Sequence, residues 1–408
     1  MEKRFRVLFI LVAFLVGCSS GLFIQDSLWA GQPEEIVVHH LGDITGPYAP
    51  ITGAASNYAL VDMEEYINKH GGIKGVKIKF VIHDTRNKRD IALAKFAEIA
   101  ATKPPIIILH QSADMEVLKA RLAELKLPAL CFSPTPKTLW PKGWLFQTLP
   151  AYTDQFALFL DWLRTDFKKK GKIRLAFVNP DYPYGHSIFT PEVEAYIKKK
   201  KIDVVAKEFF PPFDVDATTQ MTRVAAYSPD VIYSMTIASQ PRVILKGAET
   251  VGIPKSTLFG MGCWGIDRGA AKVAGELMEG VVGVQPYWVP SDTRIPIIKE
   301  FVDAFVAKKR PPEQMTMAYS GFCTVMGIVQ EALTQTVERV GWDKLDGQEV
   351  FNTLVESKGF NTLGLQPFEF APGKRCPLKC RVMKIKNGDP VPITDWRPCP
   401  DMRPAKYR

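Results

Sequence analysis

An alternation of short apolar runs and amphipathic stretches, starting near residue 36 and continuing almost to the end, constrains this chain more than any other feature. Apolar runs lie at 36-41, 105-109, 129-132, 173-178, 230-235 and 280-284, and between most of them stand 12 to 20 residues of helical pattern. Runs of that length suit strands buried on both faces of a parallel sheet, with helices as the crossovers. Val76, Ile78, Phe80 and Ile82 repeat at period two, whereas Met115, Leu118, Leu122 and Leu125 recur at helical spacing. The unit is a repeated βαβ, so the fold class is α/β.

The alternation restarts partway. A first series runs to Leu149-Pro150, and a second opens with a helix over Asp154 to Lys170 and a strand over Ile173 to Val178. Two doubly wound parallel sheets of this size make two lobes. The helical stretches at 294-309 and 316-339 return to the first lobe, so the chain crosses again near Gln285-Pro286 and between Gly364 and Pro367. The expected division is an N-terminal lobe of 35-150 plus 287-364, a C-terminal lobe of 151-286 plus 365-400, and a tail at 401-408. Several short crossings between similar lobes form a multi-strand hinge.

Ahead of this body, Met1-Glu2-Lys3-Arg4-Phe5-Arg6 and the apolar run Val7 to Gly17 have the form of an export signal occupying residues 1-30. Its end reads in more than one way. Leu15-Val16-Gly17-Cys18 has the form of a bacterial lipobox, in which Cys18 is acylated and becomes the mature N-terminus. Cleavage after Ala30 in Ser27-Leu28-Trp29-Ala30-Gly31 would instead release a soluble product, and Leu22, Phe23 and Ile24 extend the apolar stretch towards a retained anchor. All three place the body outside the cytoplasm, where thiols pair. Without Cys18 six cysteines remain, and Cys376, Cys380 and Cys399 cluster closely enough that one bridge among them is expected. A zinc site is not, since no His follows His186.

The formal net charge of +9 would suit nucleic acid or an anionic surface. Its densest runs, Lys168-Lys169-Lys170 and Lys198 to Lys201, fall at the ends of expected helices, where water and the helix dipole accommodate them. No nucleic-acid partner is expected, and the composition, 46% hydrophobic and 23% charged, is that of neither a disordered chain nor a fibre.

In doubly wound sheets, ligands gather at the carboxyl ends of the strands. Gly42-Asp43-Ile44-Thr45-Gly46-Pro47-Tyr48-Ala49 follows the first strand directly, which brings Tyr48 towards that crevice, although a Gly-Pro turn needs no ligand. Ser112 follows the strand over Pro105 to Leu109 and opens the helix carrying Met115 and Leu118, so its hydroxyl and the neighbouring N–H groups form an anion site. A serine here also serves as an ordinary N-cap. His110 and Gln111 precede it on the same wall, and Ser133-Pro134-Thr135 follows the strand over Ala129 to Phe132. Thr236, after the run at 230-235, is a further candidate.

The ordered set Gly46-Pro47-Tyr48-Ala49, Asn68-Lys69-His70-Gly71-Gly72-Ile73-Lys74-Gly75, His83-Asp84, Ser112, Leu127-Pro128-Ala129, Ser133-Pro134-Thr135, Asp181-Tyr182-Pro183-Tyr184-Gly185 and Lys384-Ile385-Lys386-Asn387-Gly388 resembles the leucine/isoleucine/valine-binding protein family. These are the periplasmic amino-acid and amide receptors of ABC importers. The resemblance spans nearly the whole body and implies the type I periplasmic-binding-protein fold. It further implies a small carboxylate or amino-acid ligand, a permease in the inner membrane as partner, a monomeric receptor and no cofactor. On it, Ser112 holds the substrate carboxylate, Thr135 supplies a second hydroxyl, and Tyr184 closes over the ligand from the second lobe. His186 and Tyr319 are weaker candidates, the latter a core residue of a long helix unless it reaches the cleft.

One position departs from the family. Amino-acid receptors present a carboxylate to the ligand ammonium just after the strand that corresponds here to Thr257 to Met261, and aligned through Met261-Gly262 that position is Trp264. Asp267 lies one helical turn on, and Asp181 is another substitute. An ammonium buried without a counter-charge is costly, so a site lacking the acid disfavours amino acids, and an indole offers a stacking face.

The same stretch, Gly260-Met261-Gly262-Cys263-Trp264-Gly265, matches the dinucleotide fingerprint G-x-G-x-x-G. A Rossmann unit would end its next strand in an acid, whereas Val281 to Val284 ends in Gln285-Pro286, so no nicotinamide cofactor is expected. No G-x-S-x-G, P-loop or H-E-x-x-H motif occurs, and His39 and His40 point to opposite faces of a strand. The expectation is a binding protein, not an enzyme and without a metal site. The alternatives are a ligand sensor that signals to a regulator and an enzyme on the same two-lobed scaffold.

Overall fold

The computed structural model describes residues 31–167 and 171–408. The export signal, Cys18, the site after Ala30 and Lys168-Lys169-Lys170 lie outside the described residues.

β1 (Glu35–Gly42), β2 (Lys77–Asp84), β3 (Ile107–Leu109), β4 (Ala129–Cys131) and β5 (Leu145–Gln147) form a parallel sheet in the order β2-β1-β3-β4-β5. β6 (Ile173–Pro180), β7 (Ile202–Phe210), β8 (Val231–Ser234), β9 (Leu258–Met261) and β10 (Val282–Gln285) repeat that order as β7-β6-β8-β9-β10, again parallel. Each half is therefore an open 2-1-3-4-5 sheet, with a crevice where the order reverses. The second sheet departs from the expected all-parallel form. β11 (Lys379–Lys386) joins β10 antiparallel, turns at Asn387-Gly388 into β12 (Asp389–Pro392), and carries β13 (Arg397–Pro398). Asn387 (φ 52°) and Gly388 (φ 78°) both hold the left-handed conformation that a tight hairpin requires.

Part of what resembled a ligand-binding family is helix punctuation. The helix Ala49–Lys69 starts with Pro50 in its first turn and stops at His70-Gly71-Gly72. Gly72 sits at φ 62°, and a Cβ there would lie 2.0 Å from Val76 O, so only glycine closes the turn into β2. Asn68 locks the turn, donating to Ile78 O at 2.9 Å and accepting from Ile78 N–H at 2.8 Å.

The helices Pro296–Ala307 and Met317–Val340 pack on Ala49–Lys69. Their anchor is Asp62, buried, which accepts from Tyr319 Oη (2.6 Å), Lys308 Nζ (2.8 Å) and Arg310 (2.6 Å). Tyr319 is thus a core residue tied to this ion cluster, and the candidate cleft role for it does not hold.

The segments expected to cross between the lobes touch one another. The hydroxyls of Thr148 and Tyr287 are 2.8 Å apart, Trp288 N–H donates to Gln366 Oε1 (3.0 Å), and Gln366 Nε2 donates to Pro286 O (3.3 Å). Residues 401–408 are no loose tail. Met402 N–H donates to Asp154 Oδ1 (2.8 Å), buried Lys374 bridges Asp154 and Asp401, and the Tyr407 ring stacks on Trp140 at 5.1 Å.

The six described cysteines are buried thiols, so the expected bridge among Cys376, Cys380 and Cys399 is not formed in this structure. Cys380 and Cys399 are nonetheless neighbours through the pairing of β11 with β13, whereas Cys376 sits beside Lys374 and Asp154. Among the described residues no helix is long and apolar enough to cross a membrane, and no cluster of three or more metal-ligating side chains occurs.

Candidate functional site

Between the carboxyl ends of the two sheets lies a cavity of about 300 Å³. On the side of the first sheet its floor is the start of the helix Ser112–Glu124. Gln111 occupies the N-cap position but its side chain caps nothing. Its Oε1 instead accepts from Asp43 N–H at 3.2 Å, which leaves the Nε2 of this residue, only 8% exposed, without a partner among the described residues. A helix terminus presents unpaired N–H groups and a partial positive charge, and a free amide donor beside it adds to the same field. Ser112, Ala113 and Ser133 line the cavity next to it. Ser133 is fixed from both sides, its N–H donating to Gln147 Oε1 (2.9 Å) and its Oγ donating to His110 O (3.1 Å).

His110 borders the floor as a neutral ring. Burial lowers its pKa to about 4, and it stacks on buried His40 with centroids 5.6 Å apart. Gly42 makes room for it, since a Cβ there would come within 2.7 Å of His110 Nδ1. The acids of the first loop are consumed in folding it. Asp43 accepts from Gly46 N–H (2.6 Å) and Tyr48 N–H (3.0 Å), which turns Tyr48 into the cavity wall. Burial works against the Asp84 charge, but hydrogen bonds from the Thr45 side chain and from Ile44, Arg86 and Thr45 N–H outweigh it and hold its pKa at about 2.

The facing wall is aromatic. β6 leads through Tyr182 into the short helix Pro183–His186, where Asn179 Nδ2 donates to Gly185 O (2.7 Å). A Cβ on Gly185 would lie 1.9 Å from Pro180 O, so the Tyr-Gly step belongs to the turn that presents Tyr182 and Tyr184. The Tyr184 ring meets Tyr152 edge-on at 4.7 Å, and Trp264 Nε1 donates to Tyr152 Oη at 2.9 Å. The nucleotide-like glycines have a different use. A Cβ on Gly260 would lie 2.4 Å from Phe159, on Gly262 2.5 Å from Tyr184 Oη, and on Gly265 2.5 Å from Thr236 Oγ1. Each glycine yields space to a neighbouring side chain.

The structure thus brings Tyr48, His110, Gln111, Ser112, Ser133, Tyr184 and Trp264 to one cavity. It does not bring the others. Thr135 caps the short helix Pro136–Leu139 by accepting from Thr138 N–H (3.3 Å), and Pro134 stands beside it, outside the lining. Thr236 is buried against Gly265. Asp181 faces solvent, 2.7 Å from His186 Nε2. Asp267 is buried as the N-cap of Arg268–Ala274, accepting from Gly269 N–H (2.7 Å) and, across to the helix Met317–Val340, from Met317 N–H (2.5 Å). Asp267, the substitute one turn beyond Trp264, is therefore engaged in capping and does not line the cavity.

Sequence reasoning missed Tyr152, Tyr182, Phe213 and Ile237. Tyr182 was visible two residues before Tyr184. Phe213 was not, because it follows β7, a partly exposed strand without an apolar run.

This architecture and its interlobe cavity define a two-lobed solute receptor. The family model described as periplasmic binding protein matches residues 35–390, and the chain belongs to that family, with its type I fold. It is 23% identical over 336 residues to the leucine-, isoleucine-, valine-, threonine- and alanine-binding protein of Pseudomonas aeruginosa, covering 81% of this chain and 87% of that one. Among solved structures it is similar to a branched chain amino acid ABC transporter protein of Thermus thermophilus with bound valine (TM-score 0.79, 19% identity, 93% of this chain and 98% of that one). It is also similar to a fatty acid ABC transporter substrate-binding protein of Thermomonospora curvata (TM-score 0.75, 18% identity, 92% and 95%). The relatives are solute-binding proteins.

Proposed function

We propose that the chain is the extracytoplasmic receptor of an ABC-type importer and holds a small carboxylate-bearing solute between a lobe of 35–150 plus 287–364 and a lobe of 151–286 plus 365–400. The observation that carries this is the uncapped start of Ser112–Glu124 with the unpartnered Gln111 Nε2 beside it, at the floor of a cavity with no acidic or basic side chain except neutral His110. Oriented dipoles in a dry site stabilise an anion with no counter-charge to desolvate. The names of the relatives include both amino acids and a fatty acid, and a carboxylate is the group these ligands share.

Capture begins on the first lobe, at Gln111, Ser112 and Ala113. Hinge bending at the bonded crossing segments then brings Tyr182, Tyr184 and Trp264 over the solute. Because the closed form binds solute from both walls, solute shifts the population towards it, and the permease in the inner membrane reads the altered outer surface. The exported form is acylated at Cys18, cut after Ala30 or held by the uncleaved apolar segment. The test is native mass spectrometry of protein purified without denaturant, followed by small-angle scattering before and after the identified solute is added back. A carboxylate and a smaller radius of gyration are expected. A bound solute without an acid group would remove the anion site from the reading, and an unchanged radius would remove hinge closure.

A further inference from the structure

The geometry points to an aromatic carboxylate that carries no α-ammonium group as the ligand, its carboxylate on the start of Ser112–Glu124 and its ring against Tyr184 and Trp264. This deepens the receptor reading above and rests on it.

The ammonium of an α-amino acid sits one carbon from the carboxylate, so its partner must stand close to Ser112. No Asp or Glu among the described residues lines the cavity, and the nearby acids are engaged elsewhere: Asp43 on Gly46 and Tyr48 N–H, Asp84 on Ile44 and Arg86 N–H, Asp267 on Gly269 and Met317 N–H, and Asp181 on His186 outside the cavity. Asp114, in the first turn of the same helix, is buried and does not line the cavity. An ammonium drawn in would lose its water and meet no anion, which disfavours it against the same acid without the amine.

Beyond the anion end, the walls are rings. Tyr48, Tyr152, Tyr182, Tyr184, Phe213 and Trp264 enclose the space, with Pro183, Pro212 and Ile237 filling between them. Two of these rings are held in place. The Trp264 indole is fixed by its bond to Tyr152 Oη, and Tyr184 is wedged between the edge of Tyr152 and Gly262. Immobile faces arranged in this way suit a planar group more than a flexible chain, because aromatic pairs gain from defined offset or edge contacts beyond the area they bury.

Four acids separate the two claims: 3-phenylpropanoate, L-phenylalanine, 4-methylpentanoate and L-leucine, which carry or lack a ring and an ammonium in every combination. Titration calorimetry on dialysed full-length protein is expected to show 3-phenylpropanoate binding at least about tenfold tighter than L-phenylalanine and than 4-methylpentanoate. Trp264→Leu should weaken 3-phenylpropanoate about tenfold and 4-methylpentanoate far less, while Trp264→Phe, which keeps a ring, retains most of the affinity. An amino acid binding tighter than its deaminated partner would overturn the ammonium claim, and 4-methylpentanoate matching 3-phenylpropanoate would overturn the aromatic one. In either case the receptor reading stands. It falls with the inference only if none of the four binds and the purified protein carries no small solute.

Discussion

The two walls of the cleft come from sheets with the same strand order, yet they line it with different chemistry. Apart from the rings of Tyr48 and His110, the first wall uses small polar groups and backbone: Gln111, Ser112, Ala113 and Ser133 around one helix start. The second uses rings, and it depends on Gly262, which leaves room for the Tyr184 hydroxyl, and on Gly185, which closes the turn that carries Tyr184. A helix terminus is fixed by the fold itself and costs little to orient, so it suits the invariant part of a ligand, its charge. Rings carried outside the strands can be exchanged without disturbing the sheet, so on the proposed reading the second wall is where ligand class would be set.

The sharpest way to break this comparison is to place a charge where the ligand's is expected. Ser112→Asp puts a carboxylate at the helix start, where it suits the dipole and should leave thermal stability unchanged or slightly raised. Two like charges at one desolvated site cost several kcal/mol, so affinity for any acid should fall by at least about a few hundredfold in titration calorimetry. Retained affinity would put the carboxylate on the aromatic wall and reverse the assignment of roles.

A smaller effect probes what lies under the first wall. Burial, with Asp43 adding to it, raises the pKa of Asp114 from the usual 3.8 to about 7. Between these values the folded chain holds a proton that the unfolded chain has released, so stability falls as pH rises from about 4 to 7, and the benefit is gone above the folded pKa. Asp114→Asn keeps the shape and removes the titration. It should flatten that slope and stabilise the protein at pH 8 by roughly 2 to 3 kcal/mol, read from urea unfolding at several pH values. An unchanged pH profile would mean that Asp114 ionises freely and that the floor is wetter than its burial implies.

How much of each wall could be read beforehand follows from where its information lies. The alternation of apolar runs and amphipathic helices is local, so the repeated βαβ order was legible, and so were Ser112, Ser133 and Tyr184 at strand ends. β7 was not, since its partly exposed residues break the apolar signal, and Phe213 was lost with it. Asn387-Gly388 was visible as a motif, but its meaning, an antiparallel hairpin on the sheet edge, depends on β11 pairing with β10. Two of the misplaced candidates share one cause. Asp267 bonds to Met317, 50 residues on, and Tyr319 bonds to Asp62, 257 residues back. Which partner a polar side chain finds at such separations is decided by packing, which no local pattern records.

The smallest predicted effect separates two hydroxyls that look equivalent in the sequence. Ser112 lines the cavity, whereas Thr135 has its oxygen engaged by Thr138 N–H at 3.3 Å and takes no part in the lining. Removing Ser112's hydroxyl deletes a hydrogen bond to a charged ligand, worth about 1.5 to 3 kcal/mol, so Ser112→Ala should weaken binding roughly tenfold or more and leave unfolding nearly unchanged. Thr135→Ala removes a cap on a one-turn helix and should cost about 1 kcal/mol of stability with affinity unaltered. Measured together by calorimetry and denaturant unfolding, the pair gives opposite signatures. If Thr135→Ala lowers affinity as much as Ser112→Ala while stability holds, its side chain must rotate into the cleft when ligand arrives, and the first wall is less rigid than the comparison requires.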